Sequence, residues 1–249
     1  MNYQLGIVIP VYRSTLSVLE LLQEMALLLP PLRYHVYLVD DSGSPCQRDW
    51  LAQHCLNPQV TLLVLRQNSG QQNAVLCGLR EALKECETLA TMDDDRQHPV
   101  ALLPQMYRQL TEGYELVYAI GEGDERATHR RLGSRLRDLL FHRMLSVPEG
   151  VRVSSYRIMS HKLAAEATQH DYRFYYFTAS ALCRPRRIGN LLYPTVPRPY
   201  GRSGYSLGRL CGLFFGILRT YTGIGRRVLR PPTGMGYEVA AILKGDEPS

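Results

Sequence analysis

The sequence predicts an α/β protein built on a mostly parallel central sheet flanked by helices. Three observations predict it. Short apolar, β-branched runs alternate with segments of helical period from residue 5 to residue 120, the pattern of strands joined by crossover helices. Polar loops follow several of those runs, at the strand ends where open parallel sheets bind ligands. The 249 residues are 45% hydrophobic, enough for one sizeable core.

Leu5 to Pro10 reads as a buried first strand ended by Pro10. Ser14 or Ser17 can cap a helix from about Val18 to Leu29, which Pro30 and Pro31 stop. Tyr34 to Val39 is a second strand with the polar exit Asp40-Asp41-Ser42-Gly43-Ser44, followed by a helix from about Arg48 to His54. Val60 to Leu65 is a third strand, Asn68-Ser69-Gly70 a turn, and Gln71 to Glu85 a helix with Ala74, Leu76, Leu79 and Leu83 on its apolar side. Thr88 to Met92 is a fourth strand that runs into Asp93-Asp94-Asp95. Pro99 opens a helix reaching about Glu112, and Glu115 to Ile120 is a fifth strand.

Beyond residue 121 the pattern changes. Gly121 to Arg126 is polar, and Arg130 to Met144 reads as a basic amphipathic helix. A short extended piece, Ser155 to Met159, precedes a helix from Lys162 to Gln169. Tyr172 to Leu182 is aromatic-rich with helical character, and Asn190 to Val196 has the look of an edge strand. Pro197 to Tyr205 reads as a loop, Leu207 to Thr220 as an apolar helix, and the last thirty residues have weak periodicity.

The formal net charge is +6. Basic residues gather from Arg126 to Arg143 and from Arg184 to Arg230, a balance suited to a phosphorylated substrate or an anionic membrane surface. No nucleic-acid-binding signature accompanies it. The six cysteines form no Cys-x-x-Cys pair and read as free thiols in a reducing compartment. The first residues lack a signal-peptide pattern, and no apolar run reaches the roughly 18–20 residues of a membrane span; Leu210 to Leu218 comes closest. The expectation is a cytoplasmic protein, peripheral at the cytoplasmic face of a membrane if it touches one.

Three adjacent carboxylates repel one another unless a cation or hydrogen-bond donors compensate them. If the strand pattern continues, Asp93 and Asp95 point the same way and could share Mg²⁺ or Mn²⁺, hard cations that take carboxylates together with substrate phosphates. A solvated acidic turn or a helix cap explains the triplet equally well. Asp40 and Asp41 could accept bonds from a base or ribose, or merely cap a turn. Gly70 with Gln71 and Gln72 opens a helix whose N-terminus attracts phosphate, or is only a turn. The arginines Arg130, Arg131, Arg135 and Arg137 could neutralise a diphosphate or form a solvated face. Arg198, Tyr200, Arg202, Ser203 and Tyr205 suit a lid over phosphate or an ordinary basic loop. His129 and His142 read as surface or core residues. No dinucleotide-binding or P-loop glycine pattern is present.

Four segments nevertheless occur in a telling order: Val8-Ile9-Pro10-Val11-Tyr12, Val39 to Ser44, Asn68 to Ala74, and Met92-Asp93-Asp94-Asp95-Arg96-Gln97-His98-Pro99. Together they resemble the motif series of family 2 glycosyltransferases with the GT-A fold. Gln97-His98-Pro99, Ser155 to Met159 and Arg198 to Leu207 are similar to the polyprenyl-phosphate subgroup, the type of dolichol-phosphate mannose synthase and the bacterial undecaprenyl-phosphate sugar transferases. The resemblance implies a metal-dependent, inverting transfer of a sugar from a nucleoside diphosphate sugar to a polyprenyl phosphate. The alternative is a sugar hydroxyl of a glycan or lipid-linked intermediate. It implies that Pro10, Tyr12, Asp41, Gly70, Asp93 and Asp94 bind the donor, and that Asp93 and Asp95 hold the metal and diphosphate with support from Gln97. Arg131 and Ser134 would face phosphate, Arg157 the acceptor-side wall, and Arg198, Arg202 and Ser203 the acceptor phosphate. Asp95, Arg131, Arg157 and Arg202 would then be the catalytic set. Residues 1–206 would form the catalytic domain, with a donor half at 1–120 and an acceptor half at 121–206. Residues 207–249 would be an amphipathic helix and tail for a membrane surface, another copy or a membrane partner. Two departures stand out. Arg13-Ser14 replaces the Asn-Glu common after the motif tyrosine, and the transmembrane helices of many lipid-linked members are not seen. A nucleotidyltransferase and a non-catalytic scaffold of the same fold are the other readings; the first lacks a basic, glycine-rich triphosphate loop.

Overall fold

The computed structural model describes residues 1–29, 31–122, 148, 150–171, 173–182, 186–194, 207–221 and 234–245. Its strands are β1 (Tyr3–Val11), β2 (Tyr34–Asp40), β3 (Val60–Leu65), β4 (Cys86–Thr91), β5 (Leu116–Glu122), β6 (Arg157–Ser160), β7 (Ile188–Pro194) and β8 (Val239–Lys244). The helices are α1 (Leu16–Leu28), α2 (Pro45–Cys55), α3 (Gln71–Ala82), α4 (Leu103–Thr111), α5 (His161–Thr168), α6 (Phe177–Ala181) and α7 (Leu207–Tyr221). The strands form one sheet in the order β7-β5-β6-β4-β1-β2-β3-β8. The β1–β2, β1–β4, β2–β3 and β5–β7 pairings are parallel, and β3–β8, β4–β6 and β5–β6 are antiparallel. The expected mostly parallel sheet flanked by helices is therefore the observed one.

Period-2 alternation divides the core between the sheet's two faces. On β1, Val8 turns towards a cluster with Leu76 and Leu79 of α3, Leu163 of α5, Phe177 of α6 and Ile217 of α7. Leu5, Ile7 and Ile9 turn the other way, towards Leu21 of α1, Leu51 of α2 and Leu103 of α4. Strand β2 is buried along its whole length, as a central parallel strand covered on both faces must be.

Local chemistry accounts for most of the boundaries that differ from expectation. Pro10 does not end β1; it pairs with Val39. Val8 O accepts from Met92 N, so Pro10, two residues on, faces the same side, where the β4 ladder has already stopped at Thr91. At the end of that ladder a proline's missing N–H costs least. Helix α2 starts three residues before the expected Arg48, because Ser44 Oγ accepts from Gln47 N and Pro45 occupies the first turn. Neither Ser14 nor Ser17 caps α1; the cap position is Thr15, which makes no side-chain cap bond. Among the described residues of the aromatic-rich stretch, Phe177–Ala181 is the helical part. The weakly periodic C-terminal stretch supplies β8, an edge strand against β3. Cys46, Cys55, Cys77 and Cys86 are free thiols. The expected basic helix at Arg130 to Met144 and the loop at Pro197 to Tyr205 lie outside the described residues. Among those described, no helix is long and apolar enough to cross a membrane.

Candidate active site

The carboxyl ends of β1, β2 and β4 and the start of α3 open onto one cleft of about 400 Å³. Pro10, Val11 and Tyr12 line it from β1, Asp41 from the end of β2, and Asn68, Gly70 and Gln71 from the approach to α3. Asp93, Asp94 and Asp95 complete the wall. Neighbouring strand order β4-β1-β2 brings these segments together.

Asp41 is buried, with Oδ1 accepting from Ser69 N at 2.6 Å and Oδ2 from Gly70 N at 2.9 Å. Burial raises its pKa, and the two main-chain donors oppose that rise. Asp40 turns to the opposite face, where its Oδ1 accepts from Ser42 N and Gln47 Nε2. Of the two adjacent aspartates, then, Asp40 serves the turn and Asp41 reaches the cleft. Gly70 has φ +86° and precedes the first turn of α3, placing a helix N-terminus, favourable to anions, at the cleft wall.

The strand pattern stops at Thr91, and Arg96 takes a left-handed φ of 59°, so the three carboxylates do not alternate as they would on a strand. Asp93 Oδ1 accepts from Gln71 Nε2 at 2.6 Å, and Oδ2 accepts from Ser155 Oγ at 2.7 Å. Asp93 N donates to His98 Nδ1 at 2.9 Å, which leaves the imidazole proton on Nε2, 3.7 Å from Asp93 Oδ2. The His98 ring stacks on Tyr156 with centroids 4.7 Å apart. Asp94 Oδ2 accepts from Tyr12 N at 3.2 Å; burial raises its pKa, with the Tyr12 and Ser14 donors opposing. Asp95 is exposed and, among the described residues, accepts from Gln97 N in its own turn. Among the described residues no three His, Cys, Asp or Glu side chains form a ready cation cage.

Residues 6–168, which contain every wall of this cleft, match the profile described as glycosyl transferase family 2. The chain belongs to this family. The family 2 chain is 28% identical over 248 residues to an undecaprenyl-phosphate 4-deoxy-4-formamido-L-arabinose transferase of Pseudomonas fluorescens, covering 95% of this chain and 69% of that one. It is 26% identical over 233 residues to the transferase of the same name from Yersinia pestis, covering 91% and 70%. In fold it is similar to glucosyl-3-phosphoglycerate synthase from Mycobacterium tuberculosis in complex with Mn²⁺, UDP-glucose and phosphoglyceric acid (TM-score 0.60, 13% identity, 88% of this chain and 78% of that one). A mannosyltransferase from Pyrobaculum calidifontis in complex with GDP-mannose and Mn²⁺ is also similar (TM-score 0.56, 16% identity, 93% and 66%).

Within this family 2 fold, seven of the eight residues expected around donor and metal (Pro10, Tyr12, Asp41, Gly70, Asp93, Asp94 and Asp95) line the one cleft. The eighth, Gln97, and Arg157 do not. The Gln97 main chain donates its N–H to Asp95 Oδ1 at 3.1 Å and accepts at its oxygen from Tyr193 Oη at 3.4 Å. Arg157 is 3% exposed on β6; its Nε donates to Thr91 Oγ1 at 3.0 Å, and the guanidinium lies 3.8 Å from the Phe177 ring centroid. Burial lowers its pKa, and Tyr118, Tyr175, Tyr176 and Asp93 oppose that. Arg131, Ser134, Arg198, Arg202 and Ser203 lie outside the described residues. Sequence reasoning gave no role to Thr91, Ser155 or His98, the groups around Asp93. The short spacing of His98 from Asp93 was a usable signal; Ser155 is 62 residues away and reaches Asp93 only because β6 pairs with β4.

Proposed function

We propose that this family 2 enzyme transfers a sugar from a nucleoside diphosphate sugar to a polyprenyl phosphate, inverting the anomeric carbon. The observation that carries the donor half is the cleft itself, where Asp93, Asp94 and Asp95 face a helix N-terminus across the ends of a parallel sheet. That arrangement suits a diphosphate and a divalent cation: the oxygens are hard donors, and Asp95 is exposed with spare acceptor capacity. Asp93 and Asp95 would hold Mg²⁺ or Mn²⁺, which supplies Lewis-acid stabilisation of the departing diphosphate when bound. Pro10, Tyr12, Asp41 and Gly70 would shape the nucleotide pocket. Asp41 does so chiefly by fixing the Asn68–Gly70 turn through its two main-chain bonds.

The acceptor assignment rests on two supports. Undecaprenyl-phosphate sugar transferases align over more than nine-tenths of the chain. Along the cleft, Asp41, Asp93 and Asp94 are each already engaged by donors from the protein, so among the described lining residues Asp95 is the carboxylate least committed to the fold. A phosphate acceptor is already an anion near neutral pH and needs no base, whereas a hydroxyl does. Arg131, Ser134, Arg198, Arg202 and Ser203 would meet that phosphate. The division into a donor half at 1–120 and an acceptor half at 121–206 belongs to the same proposal. Helix α7, with Phe215 exposed, would bring the enzyme to the membrane surface where the lipid resides.

The test is release of nucleoside diphosphate from a panel of nucleotide-sugars, with and without Mn²⁺ or Mg²⁺ and a short-chain polyprenyl phosphate. Turnover should need both metal and lipid phosphate. Asp95→Ala should lower it by at least about 100-fold, as loss of a group stabilising transition-state charge does, with an unchanged melting temperature. Turnover on a water-soluble glycan alone would defeat the acceptor reading, and an active Asp95→Ala enzyme the metal reading.

A further inference from the structure

Arg157 is an uneconomical residue in its place. It is 3% exposed, and among the described residues no carboxylate lies within ion-pair distance of it. Burying a guanidinium without a carboxylate partner is expensive, so its surroundings bear on what it does. Its Nε donates to Thr91 Oγ1 at 3.0 Å. The Thr91 hydroxyl, on a side chain 1% exposed, donates in turn to Ser155 O at 2.7 Å. Ser155 Oγ donates to Asp93 Oδ2 at 2.7 Å. Thr91 and Arg157 are paired across β4 and β6, so the sheet ladder itself sets the first link. In each bond the donor lies on the side away from Asp93; the Thr91 hydroxyl both accepts and donates, and its bond to the Ser155 main chain holds the residue whose own hydroxyl reaches Asp93.

We infer that Thr91, Ser155 and Arg157 are positioning residues for Asp93: they lock its carboxylate in one rotamer and hold a buried positive charge beneath the acidic run. The inference rests on the donor-cleft reading above. Gln71 fixes the other oxygen and His98 the main chain, so Asp93 is held at three points before any ligand arrives. Each oxygen keeps acceptor capacity in a residue that lines the cleft. A carboxylate prepared in this way loses little conformational freedom when a cation and diphosphate bind. The buried guanidinium attracts Asp93 and so offsets part of the repulsion between Asp93 and Asp94.

The test is binding, without turnover. Mn²⁺ alone is followed by its electron spin resonance signal, and Mn²⁺ with UDP, GDP, CDP or ADP by calorimetry. Thr91→Val keeps the shape and removes the hydroxyl; Ser155→Ala removes the last link. Each should weaken the tightest Mn²⁺–nucleotide pair by about tenfold, the worth of one hydrogen bond to a charged group. Thr91→Ser and Ser155→Thr, which restore a hydroxyl, should lie within about twofold of wild type, which simple loss of packing would not produce. If Thr91→Val does not fold, the Ser155 pair decides alone. Wild-type binding by Ser155→Ala, or a Thr91→Ser protein as weak as Thr91→Val, would overturn the relay and leave the cleft reading standing. A wild-type protein that binds neither Mn²⁺ nor any of the four nucleotides would overturn both.

Discussion

Both carboxylate oxygens of Asp41 are occupied by the N–H groups of Ser69 and Gly70, and that limits what the residue can do for a ligand. It shapes the wall rather than presenting a free acceptor. The geometry depends on Gly70, whose φ of +86° and ψ of 149° lie in a region that residues with a Cβ strongly avoid. Among the described residues an added Cβ would meet nothing within 4 Å, so a substitution there is penalised by backbone conformation and not by crowding. Gly70→Ala should cost about 1–3 kcal/mol in urea unfolding and weaken nucleoside diphosphate binding, as calorimetry would show. A variant as stable as wild type would mean that the turn can relax without Asp41.

At the level of elements, α3 joins the cleft to the core. Its first turn meets the ligand end of the sheet, and its middle presses on β1 and β2. Gly78 makes that approach possible: a Cβ there would sit 2.3 Å from Val8 Cγ1 and 3.0 Å from Val39 Cγ2. Alanine would gain about 1 kcal/mol of helix propensity, but the overpacking falls on two β-branched strand residues with little freedom to move. The expected net loss for Gly78→Ala is about 2 kcal/mol. Gly212 of α7, where an added Cβ meets nothing within 4 Å among the described residues, is the internal control; Gly212→Ala should be neutral or stabilising. Equal effects at the two sites would contradict the packing account. At its other end α3 is tied to α5, where Arg80 Nη2 donates to Thr168 O at 2.8 Å and to Asp171 Oδ1 at 2.7 Å.

At the scale of the whole molecule, stability carries a pH dependence set partly far from the cleft. His35 on β2 is buried, bonded through Nε2 to Thr61 Oγ1 at 2.8 Å, with Nδ1 buried and unpartnered among the described residues. Burial lowers its pKa from 6.5 to about 4; Glu85 opposes the change and Lys244 adds to it. The folded protein thus binds fewer protons at this site than the unfolded chain between those two values. Stability should rise with pH across that window and be lost as pH falls from 6.5 towards 4, by on the order of 3 kcal/mol. The difference in unfolding free energy between wild type and His35→Phe, taken at several pH values, isolates this contribution. A difference that stays constant from pH 7 to 4 would show that His35 is not the group responsible.

Much of this was legible in the residues themselves. Alternating runs from residue 5 to 120 were enough for the layered sheet, because burial on both faces demands continuous apolar strands whatever their neighbours. The motif order was enough to bring Pro10, Tyr12, Asp41, Gly70 and Asp93 to Asp95 to one cleft, because parallel crossover connections return each strand's carboxyl end to the same edge. Pairings across long sequence separations were not legible. The antiparallel β6 and β8, the contact of Ser155 with Asp93 and the burial of Arg157 depend on which strands become neighbours. Local periodicity carries no record of partners chosen 60 or more residues away. The sequence by itself determined the sheet and the place of the acidic run. Only the tertiary structure decided what holds that run in position, because hydrogen bonds between distant segments exist only once the sheet has assembled.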